Sequence, residues 1–198
     1  RKVSIISPKP QTTRNKIIGV KHMPDAQLIF LDTPGVAIPR TKLNKAMQAE
    51  VLRSIEGTEL ILLMVEVERE PLQEQIKPLE LIMGKTPPVF LVINKIDRVR
   101  KDKLLDMINA YQKLSNFPEI IPISALKRVN VDRLLGLIRC YLPAGPRYFP
   151  KEMVTDRPET FMMAEIIREK VSLFTQQELP HTSAVMIDSV SQGKGKKV

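Results

Sequence analysis

Three short polar runs in this 198-residue chain each follow an apolar stretch: Asp32-Thr33-Pro34-Gly35, Asn94-Lys95-Ile96-Asp97 and Ser124-Ala125. An aspartate at a strand end can hold a hydrated Mg²⁺, because hard cations take oxygen ligands. A glycine lacks Cβ, so the N–H of Gly35 can approach a phosphate closely. The second run offers base recognition. A carboxylate such as Asp97 accepts two hydrogen bonds from a planar N–H/NH₂ pair, which guanine presents at N1 and N2 and adenine does not. Asn94 can bond the imidazole edge of the base and tie neighbouring loops together. The aliphatic stem of Lys95 can lie across the purine face. In the third run, the Ala125 N–H can meet the guanine oxygen. Each run alone is also an ordinary strand exit or helix cap; their order along the chain favours a nucleotide site.

The elements that must position these residues follow from periodicity. Leu28–Leu31 is a short apolar run closed by turn residues, which reads as a buried strand. Ile17–Lys21 precedes it across the turn Met23-Pro24-Asp25, predicting an antiparallel hairpin over residues 16–32. Leu60–Val65 and Pro88–Ile93 read as fully buried strands, and Ile120–Ile123 as another. Helical spacing covers Leu43 to Ile55, Leu104–Leu114, Val131–Leu142 and Thr160–Phe174. A further helix starts at Pro71, with Pro78 as a kink. Thr182–Val190 reads as a final strand. Strands alternating with helices predict an α/β fold: a mostly parallel sheet with helices on both faces, and ligand contacts at the strands' carboxyl ends. Pro143–Pro150, with three prolines and a glycine, is the expected domain boundary.

Composition narrows the class. Hydrophobic residues make up 43% of the chain, enough for a core, while Trp is absent, so that core is aliphatic. The single Cys140 excludes an internal disulfide framework and fits a reducing compartment. No apolar run is long enough to cross a bilayer, and the first residues carry no secretory h-region. The net charge of +9 suggests an anionic partner. The excess is spread over residues 1–145, which hold 23 basic and 15 acidic residues, so charge alone supports this weakly.

The order Thr-Thr-Arg, Asp-Thr-Pro-Gly, Asn-Lys-x-Asp, Ser-Ala resembles the translation GTPases. Lys9-Pro10-Gln11-Thr12-Thr13-Arg14, Tyr148-Phe149-Pro150, Thr155-Asp156-Arg157, Ala164–Lys170 and Glu178-Leu179-Pro180-His181 resemble the Era family within them. The resemblance implies a P-loop small-GTPase fold over residues 1–145, a linker at 146–156 and the start of an α+β KH-type RNA-binding domain at 157–198. It implies GTP or GDP with Mg²⁺ as cofactors, bound by Asp32, Thr33, Pro34, Gly35, Val36, Asn94, Lys95, Ile96, Asp97, Ser124 and Ala125. Gln11, Thr12, Thr13 and Arg14 would form a switch. Thr13 and Asp32 would serve the metal, the latter through water. Val36 stands where many signalling GTPases carry a water-orienting glutamine, so hydrolysis is expected to be slow. The implied partners are small-subunit ribosomal RNA and the small subunit itself. A cytoplasmic monomer is expected, with peripheral contact at the inner membrane and an organellar homologue both left open.

Two family features do not occur in these residues. There is no Gly-x-x-x-x-Gly-Lys-[Ser/Thr] phosphate loop, and Gly193-Lys194-Gly195-Lys196 is not the Gly-x-x-Gly clamp of a KH domain. The expectation is that the first central strand with its loop lies upstream of Arg1 and that the clamp lies beyond Val198. This fragment alone is therefore expected to be inactive. The competing reading is a degenerate GTPase fold that serves as an RNA-binding scaffold without catalysis.

Overall fold

Five consecutive apolar residues, Val89–Ile93, force their strand into the interior, because each side chain must leave water on one face or the other. They form most of β4 (Val89–Asn94), all five no more than 4% exposed. The computed structural model describes residues 3–5, 16–33, 42–67, 82, 87–174 and 184–190. The chain divides into two compact units, residues 1–35 with 147–198 and residues 36–146.

In the unit of residues 36–146, β3 (Ile61–Glu66), β4 and β5 (Ile120–Pro122) form a parallel sheet in the order β3-β4-β5. Register pairs Glu66 with Asn94 and Ile93 with Pro122, so all three strands end on one edge. One face of β4, carrying Val89, Leu91 and Ile93, packs with Val65, Val67 and Ile82 and with Met107 and Tyr111 of α2 (Lys101–Leu114). Phe90 points to the other face and meets Tyr141 of α3 (Val131–Tyr141) edge-on, centroids 4.7 Å apart. Helices thus cover both faces, as the α/β pattern requires. Each fully buried side chain contributes about 1.5–3 kcal/mol before entropy is counted. α1 (Lys42–Ile55) ends at Gly57, whose φ of 81° supplies the left-handed turn of a helix stop. Thr58 then returns both its N–H and its hydroxyl to the Ile55 carbonyl.

In the other unit, β1 (Ile17–His22) and β2 (Gln27–Asp32) make the expected antiparallel hairpin. Residues 147–157 are strapped along it. Arg147 donates to the Met23 and Pro24 carbonyls, and Gln27 Oε1 accepts from the N–H groups of Tyr148 and Phe149. The Val20 N–H donates to the Val154 carbonyl, and Gly19 bridges to Thr155. Arg157 closes the strap by donating to the Lys16 carbonyl while its guanidinium covers the Phe161 ring at 5.0 Å. Phe161 lies in α4 (Glu159–Phe174), where Arg168 forms a close two-point pair with Glu165.

Some expectations are corrected. β2 and β3 are not fully buried strands: only Leu28 is buried in β2, and Met64 of β3 is 54% exposed. Among the described residues each pairs on one side only, so an apolar run alone does not guarantee cover on both faces. Within the expected strand Thr182–Val190, the described residues 184–190 adopt no strand, since no described segment offers them a ladder. α2 begins three residues before its apolar periodicity does, in the polar turn Lys101-Asp102-Lys103, where Asp102 suits the helix dipole. The helix expected from Pro71 lies outside the described residues except for buried Ile82.

Candidate functional site

β4 delivers Asn94 to the carboxyl edge of the sheet, and the chain then turns sharply. Lys95 adopts left-handed backbone, φ 67° and ψ 30°, before a single 3-10 turn at Ile96–Arg98. That conformation costs a non-glycine residue about 1–2 kcal/mol. It is held by Asn94, whose Oδ1 accepts from the Lys95 N–H at 2.7 Å. The same oxygen accepts from the Ala125 N–H at 3.1 Å. One amide therefore ties the loop after β4 to the loop after β5. A second tie runs from the Ile96 N–H to the Ile123 carbonyl, 3.2 Å.

Ser124 is the hub of the β5 loop. It is fully buried and exchanges both backbone hydrogen bonds with Val129, which closes the loop. Its hydroxyl donates to Asp97 Oδ1 at 2.6 Å and accepts from the Lys127 N–H at 3.1 Å. The loop's return uses two further left-handed residues, Arg128 and Asn130. Asn130 donates its side-chain amide to the Pro122 carbonyl at 2.8 Å. The Ser124 hydroxyl holds the Asp97 carboxyl below the usual carboxylate range, and the cations Lys127 and Arg98 act in the same direction. Asp97 is thus presented as an anion, and a carboxylate with one oxygen held by a hydroxyl keeps lone pairs on both for another donor pair.

Lys95 reaches the opposite way. Its Nζ pairs with Glu66 Oε1 at 2.5 Å, at the end of the neighbouring strand β3. Glu66 was missed in the sequence reading. The available signal was its place as an acid closing an apolar strand, one more polar residue on the same sheet edge. A cavity of about 600 Å³ lies where β5 begins, lined by Ile108, Gln112, Phe117 and Ile120, and holds none of these side chains.

The structure therefore gathers Asn94, Lys95, Ile96, Asp97, Ser124 and Ala125 within one unit, linked by hydrogen bonds. Asp32 and Thr33 belong to the other unit. Asp32 ends β2, half-buried, and its Oδ2 accepts from the Ser4 hydroxyl at 2.8 Å. Among the described residues no group of three or more His, Cys, Asp or Glu side chains could hold a metal. A lone oriented carboxylate fits Mg²⁺, which keeps several of its waters and needs only one or two protein carboxylates. Gln11, Thr12, Thr13, Arg14, Pro34, Gly35 and Val36 lie outside the described residues.

Comparison with known proteins matches residues 1–95 to the family of 50S ribosome-binding GTPases. GTPase Era of Geotalea uraniireducens is 45% identical over 191 residues, covering 96% of this chain and 64% of that protein. A crystal structure of Era in complex with MgGDPNP and nucleotides 1506–1542 of 16S ribosomal RNA superposes with a TM-score of 0.92 at 40% identity. It covers 98% of this chain and 66% of that one. A tyrosine-to-alanine variant of Aquifex aeolicus Era bound to GDP and tetrafluoroaluminate gives 0.90 at 40% identity, with the same coverage. The chain thus spans just under two thirds of the length of these relatives.

Proposed function

The chain belongs to the Era family of GTPases, and we propose from that premise that the protein containing it binds GTP and GDP with Mg²⁺, hydrolyses GTP slowly and binds small-subunit ribosomal RNA during small-subunit assembly. The observation that carries the nucleotide half is the Asp97 carboxylate, held as an anion by the buried Ser124 hydroxyl beside an Asn94-linked Ala125. Asp97 accepts from guanine N1 and N2. Asn94 turns its side-chain NH₂ to the imidazole edge, since its oxygen already serves two backbone N–H groups. Lys95 lays its stem along the base. Ala125, whose N–H is shared with Asn94, meets the guanine oxygen. Ile96 contributes backbone beside these groups, whereas Thr33 and Pro34 are assigned to the phosphate side.

On the phosphate side, Asp32 and Thr13 would hold the Mg²⁺, with Gln11, Thr12 and Arg14 completing a switch segment. Gly35 offers its N–H to the γ-phosphate. The metal, when bound, neutralises charge on the phosphates. Val36 cannot orient a water, so the attacking water is positioned by another group and hydrolysis is slow. Support for RNA as partner comes from the relative crystallised with 16S ribosomal RNA and from this chain's net charge of +9. In the proposed organisation, residues 1–145 are the nucleotide-binding domain, 146–156 its link, and 157–198 the start of a KH-type domain. The protein acts as a cytoplasmic monomer, and any membrane contact is peripheral.

The test is nucleotide binding by the full-length protein. Wild type binds GDP and not ADP, and Asp97→Ala abolishes the preference. Unchanged GDP affinity in that variant sinks the assignment. RNA binding with no GTP turnover would favour the scaffold instead.

A further inference from the structure

We propose that Glu66 is a positioning residue for guanine-nucleotide binding, acting through Lys95; this rests on the nucleotide reading above. Glu66 has no place in that reading, yet three observations converge on it. Register sets it opposite Asn94, so it closes β3 on the edge where the base-reading residues emerge. Its Oε1 lies 2.5 Å from Lys95 Nζ. Lys95 itself starts from a left-handed backbone pinned by Asn94, so its stem leaves the chain in a set direction and is caught at its far end.

The consequence is twofold. A lysine side chain has four rotatable bonds, and holding both ends removes most of the freedom that it would otherwise lose when a base stacks on it. Strand order also matters. Asp97 is tied to Ser124 beyond β5, whereas Glu66 ends β3 on the other side of β4. The Glu66 carboxylate draws the ammonium away from Asp97, whose free lone pairs must accept from guanine. Without Glu66, the nearest carboxylate for a mobile Lys95 ammonium in its own loop is Asp97, two residues on. The ammonium would then compete with the base.

Both side chains are partly exposed, 34% for Lys95 and 41% for Glu66, so the pair adds little to folding and Glu66→Gln keeps its structure. The experiment measures GDP dissociation from the full-length protein at low and high salt for wild type, Glu66→Gln, Glu66→Asp, Lys95→Met and the double variant Glu66→Gln/Lys95→Met. Glu66→Gln weakens GDP binding by about threefold to tenfold, as expected for coupled neighbours. Added salt narrows the gap from wild type, and Glu66→Asp recovers part of the loss. In the Lys95→Met background the same Gln substitution has less than about a twofold effect, because the group that it acts through is gone. Wild-type affinity in Glu66→Gln, or an equal loss in both backgrounds, overturns the positioning role while leaving the site itself intact. Failure of the wild-type protein to bind GDP overturns both.

Discussion

Asn94→Ala removes the one side chain that joins the loop after β4 to the loop after β5. Its Oδ1 accepts from the Lys95 N–H at 2.7 Å and the Ala125 N–H at 3.1 Å, so two backbone donors lose their acceptor together. A net hydrogen bond is worth about 0.5–1.5 kcal/mol, and a factor of ten in an equilibrium is about 1.4 kcal/mol. Each amide should therefore exchange its hydrogen about 2- to 10-fold faster in the variant. Lys95 should show the larger change: its bond is shorter and also stabilises a left-handed backbone. Ala125 is exposed, and water replaces part of what it loses. Asn94→Asp is the discriminating partner. It keeps an acceptor oxygen in the same place and loses the NH₂, so both amides should stay protected while GDP affinity falls. The assay is native-state hydrogen exchange resolved at Lys95 and Ala125, with GDP titration beside it. Unchanged exchange at both amides in Asn94→Ala would refute the reasoning, as would equal loss of protection in Asn94→Asp.

Ser124→Ala removes the largest cause of the lowered Asp97 pKa, so that pKa should rise. Guanine needs the carboxylate, and a depressed acid keeps its contribution above its folded pKa and loses it as pH falls. The acid limb of a GDP-affinity profile should therefore move to higher pH in the variant; an unmoved limb counts against the Ser124–Asp97 link. Gln27→Ala strips the strap of two accepted bonds from Tyr148 and Phe149 and one donated to the Phe149 carbonyl. Partial exposure returns much of this to water, leaving a loss of about 1–3 kcal/mol in the attachment of residues 147–157 to the hairpin. Limited proteolysis should find that segment cut sooner, and equal cleavage rates would contradict the strap. Burial pushes the Tyr111 hydroxyl up to about 12 from 10.0. Its neutral form thus stabilises the fold below pH 10, and up to about 2–3 kcal/mol is lost as pH rises towards 12. Urea unfolding across that range should show a shallower decline in Tyr111→Phe.

The residues of the candidate site were legible in the chain because they are polar types at strand ends. A strand's end is marked locally, by an apolar run that stops at a polar residue. The sequence alone therefore located β4, the hairpin, the helices α1 to α4, and the polar runs at Asn94, Asp97 and Ser124. The family followed from the order of those runs and the detail around Lys9–Arg14 and Thr155–Arg157. Partners across space were not legible. That Ser124 holds Asp97, that Asn94 spends its oxygen on Ala125, and that Glu66 catches Lys95 all depend on the strand order β3-β4-β5 and on the Glu66–Asn94 register. Hydrophobic periodicity carries neither, because strand pairing is made by backbone groups common to every residue. The same gap explains why β3 looked fully buried from its composition yet leaves Met64 in solvent, and why residues 184–190 looked like a strand but form no ladder. It also hid the strap along β1 and β2, which is built from main-chain groups and from side chains such as Gln27, Arg147 and Arg157, whose partners lie more than a hundred residues away. Residue identity set which groups reach the sheet edge; the tertiary fold decided which of them meet.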